Sequence, residues 1–225
     1  MKRTWFWTGA LVILFAVTMS FLVYDQVYGK AQQIEETVQL LEKEMEQKYQ
    51  ITIAHSNGFY SRTAGYGATI TTSDGVVFES WKRPGETIDR YLEEVWRERA
   101  LQTWVNERNE LSHVASADIN VNYRDEAEKD PGDLGKPVED MKEKLWLTIY
   151  IDLAISFDQP LTEAVENEIY SYWKQLQKEG ADGVELIVRF KGTPEHAYMI
   201  VRDGNGKLPP VTSLESVSET LNVFK

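Results

Sequence analysis

The sequence predicts an α+β protein: an N-terminal transmembrane helix followed by antiparallel sheet with helices packed on one face. Three observations lead there. Residues 5–24, WFWTGALVILFAVTMSFLVY, contain no charge over 20 positions. Further along, short segments place apolar residues at every second position and are joined by turn signals. Between groups of these segments lie stretches with apolar residues three and four apart.

The uncharged run comes first. As a helix it is long enough to cross about 30 Å of hydrocarbon. Trp5, Trp7 and Tyr24 sit at its ends, where amphipathic rings favour the interface. Lys2 and Arg3 precede it and Asp25 follows, which keeps the N-terminus cytoplasmic and puts the C-terminal bulk outside. A cleaved signal peptide would have a shorter apolar region and a small-x-small cleavage site. The exit SFLVYDQVYGKAQQ offers no good small-residue pair. The expectation is an uncleaved signal anchor within residues 1–30, attached to the membrane through residues 5–24.

Composition sets the class of the remainder. The chain has 225 residues, 42% hydrophobic and 27% charged, which suits folded domains rather than disorder. Lys2, Arg3 and Lys30 against Asp25 give the first 30 residues a net charge of +2, so the rest of a −12 chain carries −14. Such an acidic body repels nucleic acid and anionic membrane surfaces. There are no cysteines, which excludes disulfides, thiol catalysis and Cys-ligated zinc.

Residues 31–49 then read as a helix, with Ile34, Val38, Leu41 and Met45 on one stripe and Glu44 and Lys48 as an i,i+4 pair. The stripe is either packed on the domain or the seam of a homodimer through residues 31–49. Strand signals follow at Ile51–Ile53, Tyr66–Ile70 and Val76–Trp81. Ser73-Asp74-Gly75 joins the last two as a hairpin turn. Pro84 and Gly85 break the pattern, and Thr87 caps a predicted helix over 88–107 with Ile88, Tyr91, Leu92, Val95, Trp96 and Trp104 on its stripe.

This first half, with its anchor, acidic helix, Asp-Gly hairpin and the segment TIDRYLEEVW, resembles small membrane-anchored extracytoplasmic proteins of Gram-positive bacteria, most of them without an assigned function. The resemblance covers roughly the first 105 residues. It implies an extracytoplasmic α+β module and carries over no functional residues.

A boundary near 108–113 divides the soluble part into modules 31–108 and 109–225, or the two form one continuous domain. In the second, Ile119, Val121 and Tyr123 alternate with polar neighbours. Residues 124–144 are charged and aperiodic and read as a mobile loop. Leu145 to Ile155 alternate along a long strand that pairs with the previous one across the loop. A helix from Pro160 to about Lys178 ends near Gly180. Strands at Val184–Phe190 and Ala197–Val201 follow, then a short helix with a capping box at Thr212 and Glu215.

The search for chemistry is mostly negative. GFYSRTAGYGAT, residues 58–69, has three glycines, but they run into a strand rather than a helix, so they read as turn or close-packing residues. Tyr60, Arg62 and Tyr66 remain candidates for a partner-binding patch. His55, His113 and His196 lack metal-site spacing. RDGNGKLPP, 202–210, lacks the later ligands of a calcium loop and reads as a turn. No Gly-x-Ser-x-Gly or Ser-x-x-Lys motif occurs. Asp152, alone in an apolar strand, is placed on its outer face, and Trp81, Trp96, Trp104, Trp146 and Trp173 are assigned to core or domain contacts. No catalytic residue, cofactor or metal ligand is expected. The functional expectation is a noncatalytic extracytoplasmic module that binds an envelope protein or senses a ligand. The alternatives are an envelope hydrolase using paired carboxylates or a dimerising assembly factor.

Overall fold

The structure is a computed structural model and describes residues 28–105, 111–157, 162–181, 183–203 and 206–223. The expected fold class needs correction on two counts. The transmembrane helix read over 5–24 lies outside the described residues, and among those described no helix is long and apolar enough to cross a membrane. The single antiparallel sheet is replaced by two sheets, the second of which contains a parallel pair. What stands is α+β. The chain divides into two compact units, residues 1–91 and 92–225.

In the first unit, helix α1 (Ala31–Tyr49) precedes four antiparallel strands in sequential order: β1 (Ile53–Ser61), β2 (Gly65–Thr72), β3 (Val77–Arg83) and β4 (Glu86–Asp89). Register puts Ser56, Ile70 and Phe78 in one row and Gly58, Ala68 and Ser80 in the next. Ala68, Ile70 and Phe78 are buried with Leu41, Met45 and Tyr49 of α1. The helix stripe is therefore laid on its own sheet. Gly58 lies where α1 comes closest: a Cβ there would run into the Cγ2 methyls of Ile34 and Val38. Its φ is ordinary, so the requirement is space, not backbone freedom.

Polar contacts fix the helix on the sheet, and they differ from those read locally. Glu44 and Lys48 do not pair with each other. Lys82 Nζ donates to both Glu44 oxygens at 2.6 and 2.8 Å, and Thr87 Oγ1 donates to Glu44 at 2.7 Å. Lys48 instead reaches the buried Asp89 at 2.9 Å, which also accepts from Tyr49 Oη at 2.7 Å. Thr87 is thus a strand residue rather than a helix cap. The cause is the turn at Pro84-Gly85, where Gly85 has φ +86°, so the chain doubles back into β4 instead of entering a helix.

The second unit contains most of helix α2 (Tyr91–Ala100), which runs into a π-helical turn at Leu101–Val105. Strands β5 (Val114–Tyr123) and β6 (Leu145–Leu153) pair antiparallel. Helix α3 (Thr162–Lys178) then carries the chain across so that β7 (Glu185–Phe190) lies parallel to β6. Strand β8 (Thr193–Ile200) returns antiparallel, and after α4 (Leu214–Ser218) strand β9 (Leu221–Val223) completes the order β5-β6-β7-β8-β9.

One face of this sheet lies under α3. Tyr198 Oη donates to Glu166 of α3 at 2.7 Å, and Tyr198, Val188 and Ile151 share a row. Val165, Ile169, Tyr172, Trp173 and Leu176 of α3 are buried, as are Leu147, Ile149, Ile151, Leu186 and Val188 of the sheet. Each such side chain contributes about 1.5–3 kcal/mol on burial. Gly180, at φ +83°, ends the helix, with Ala181 N–H donating to Leu176 O at 2.9 Å. The capping box of α4 uses Ser213 and Ser216 rather than Thr212 and Glu215.

The segment 124–144 is not the structureless loop its composition suggests. It holds three short 3-10 turns, Glu126–Glu128, Pro131–Gly135 and Val138–Met141, with Asp133, Val138 and Met141 buried.

Replacing Gly58 by Ala should force α1 away from β1 and cost about 1–3 kcal/mol, the range for overpacking a filled site. Urea denaturation followed by circular dichroism checks this; a loss below about 0.5 kcal/mol, the scale of a neutral surface change, would contradict the packing.

Candidate functional site

Tyr60, Arg62 and Tyr66 fall on the β1–β2 hairpin. Tyr60 and Tyr66 are directly opposite each other, ring centroids 4.9 Å apart, and both are half-buried. Tyr66 Oη accepts from the Lys30 backbone N–H at 3.2 Å, and a Cβ on Gly29 would strike Tyr60. The two rings thus pack on the chain entering α1. Arg62, in the turn, is exposed. Gly67 is crowded for a similar reason, with the Phe59 ring and Ser80 O sitting where its Cβ would be. Gly58 and Gly67 serve close packing and Gly65, at φ +87°, serves the hairpin turn, and the three candidate residues share the hairpin without forming one open cluster.

Titratable groups concentrate instead around segment 124–144. Glu93 is buried, and burial holds its carboxyl above the usual carboxylate range although Lys129 Nζ lies 2.5 Å away. Lys129 also meets Glu126 at 2.7 Å; burial opposes its charge, but the two carboxylates win and hold its pKa above the ordinary lysine value. Trp96 Nε1 donates to Tyr123 Oη at 3.0 Å, and burial pushes the Tyr123 hydroxyl up to about 12. Asp133, buried, accepts from Lys136 at 2.6 Å and Lys144 at 2.8 Å, which lower its pKa. The Glu93–Lys129 pair ties the segment to α2, and the Asp133 contacts close the segment on itself. The raised acid that a carboxylate hydrolase would need is here paired with an ammonium inside the fold.

The sheet face away from α3 carries a different arrangement. Along β6, Trp146, Thr148, Tyr150 and Asp152 alternate with the buried Leu145, Leu147, Ile149 and Ile151. Asp152 accepts from Arg189 Nε at 2.7 Å and Nη2 at 3.0 Å, and from Ser116 Oγ at 3.0 Å. Arg189 also lies 5.2 Å from the Tyr150 ring centre. Trp146 is 40% exposed, which corrects its assignment to a core or domain contact. Two guanidinium groups lie against its indole, Arg124 at 4.8 Å and Arg202 at 5.3 Å. The signal was in the sequence: Trp146 is out of phase with the leucines on either side of it. Only the convergence of Arg124 and Arg202 needed the folded sheet.

The histidines are scattered. His55 lies in β1 and His113 precedes β5, whereas His196 in β8 stacks on Phe157 at 4.3 Å. Among the described residues no group of three His, Asp or Glu side chains could hold a metal ion. Asp203 Oδ1 accepts from Lys207 N–H at 2.9 Å. A shallow depression in the first unit is lined by Glu44, Met45, Gln47, Lys48 and Thr87, among them residues of the ion pairs that hold α1. Comparison of the chain with protein families, with curated proteins and with solved structures found no match.

The pairing of Asp133 predicts a pH dependence. Its folded pKa is depressed, so its contribution to stability is complete above the unfolded value of about 4 and is lost as pH falls through the folded value. Asp133→Asn should therefore lower stability at neutral pH and flatten the acid-side decline below about pH 4. Urea midpoints from about pH 2.5 to about pH 7 measure it; an unchanged acid slope would contradict the assignment.

Proposed function

We propose that the protein is a noncatalytic binding or sensing module acting on the extracytoplasmic side of the cytoplasmic membrane, and that the second sheet's face away from α3 is where it meets a protein partner. The observation that carries this reading is Trp146, 40% exposed and flanked by Arg124 and Arg202. Tryptophan and arginine are the residue types that most often dominate binding energy at protein interfaces. Support for the location comes from the sequence alone, with Lys2 and Arg3 ahead of the uncharged residues 5–24. Support for a noncatalytic role comes from the acids: Glu93, Asp89, Asp133 and Asp152 are all engaged with lysine or arginine.

Site-specific photo-crosslinking tests the reading. Asn122 is exposed and sits directly opposite Trp146 in the β5–β6 register. A photoreactive residue at position 122 of the full-length chain in its native membranes should give a discrete adduct that disappears when Trp146 is replaced by Ala. A photoreactive residue at the exposed position 163 of α3 should not give it. An adduct equally strong from both positions, or none from 122, would overturn the reading.

A further inference from the structure

We infer that Trp146, Arg124 and Arg202 form a docking site for a carboxylate-bearing peptide segment of the partner, an inference that rests on the binding reading above. The argument starts from how the two guanidinium groups are held. Arg124 donates to Leu145 O at 3.1 Å and to Lys142 O at 2.9 Å. Arg202 donates to Gly206 O at 3.1 Å and to Gly183 O. Gly183 leaves room for this, since a Cβ there would approach Arg202 Nη2 to 3.3 Å. Main-chain carbonyls fix both groups in place without neutralising them.

Arg99 is held in a similar way, donating to the Lys136 carbonyl and lying over the Trp96 ring, but that indole is buried, whereas Trp146 is exposed. With 36 acidic residues against 24 basic ones, an arginine should find a carboxylate easily. Arg97 pairs with Asp118 and Arg189 with Asp152. Among the described residues neither Arg124 nor Arg202 has a carboxylate within ion-pair distance. Glu185, across from Thr148 on that face, accepts from Thr148 Oγ1 at 2.8 Å and from the Arg202 backbone N–H at 2.9 Å.

Two positive forks thus stand beside an exposed indole with donors left over. A guanidinium matches a carboxylate or phosphate by paired N–H donors. The indole offers a flat apolar surface next to that charge. A long polyanion is disfavoured, because the surrounding protein is acidic and would repel charge beyond the two arginines. What fits is one or two carboxylates carried next to an aromatic or aliphatic side chain, as in an acidic peptide segment.

The test uses the full-length chain in mild detergent and isothermal titration with a short blocked peptide that places glutamates beside phenylalanine. The same peptide with glutamine for glutamate and inorganic phosphate are the comparison probes. Saturable binding of the glutamate peptide is expected. It should weaken about tenfold or more with glutamine in the peptide, and with Trp146→Ala, Arg124→Gln or Arg202→Gln in the protein. Near-UV circular dichroism identifies any arginine variant that has lost its fold, and Trp146→Ala, a surface change, keeps the test decisive. Equal binding of the glutamine peptide would overturn the carboxylate assignment. Phosphate binding as tight as the peptide would replace it with a phosphate site. No binding of the glutamate peptide would overturn the inference but leave the binding reading intact, provided the crosslink from position 122 still depends on Trp146.

Discussion

The two-residue period of β6 is the constraint on which the second unit depends. Leu145, Leu147, Ile149, Ile151 and Leu153 are buried, so the residues between them must point the other way. Because β6 pairs with both β5 and β7, its register sets the facing of the strands on either side. Helix α3 covers the apolar side. Everything that makes the other side distinctive, from Trp146 to the Arg189–Asp152 pair, follows from that one choice of face. A one-residue slip would bury Asp152 and expose five large aliphatic side chains.

Charge is handled in two ways. Several acids are matched with lysines: Glu44 with Lys82, Asp89 with Lys48, Glu93 with Lys129 and Asp133 with two lysines. The first three join elements far apart in sequence, and the buried carboxylates in the set would be costly to leave alone. Arg124 and Arg202 are held by carbonyls against an indole, as Arg99 is on the buried Trp96, but their indole, Trp146, is exposed. In a chain of net charge −12, that difference singles out one small region from the rest of the surface.

Much of this was legible in the sequence. The helix at 31–49 was given by its three-four spacing, and its observed bounds agree. The Asp-Gly turn, the strands at β2, β3, β5, β6 and β7, and the helix ending before Gly180 were read from local pattern. Local pattern failed where a long-range partner decided the outcome. Thr87 had the chemistry of a helix cap, yet Glu44 and Lys82 hold it in a strand. Segment 124–144 had no apolar period because its order comes from Asp133 and two lysines rather than from a stripe. The parallel pairing of β7 on β6 follows from the helix between them, since a helix is the usual crossover between parallel strands.

The candidate site divides the same way. Tyr60 and Tyr66 stand out for their setting among glycines, but Gly58 and Gly67 are packing positions and Gly65 is a turn residue. Trp146 could have been placed outward from phase alone, but its flanking arginines come from residues 124 and 202, which no spacing rule connects. The most direct measurement of the outward-facing Trp146 is the fluorescence difference between wild type and Trp146→Phe, recorded with and without acrylamide. An outward indole beside two guanidinium groups predicts that the lost emission is red-shifted and readily quenched. A lost component that is blue and protected would mean that β6 presents its other face to solvent, and would contradict the site and the function built on it.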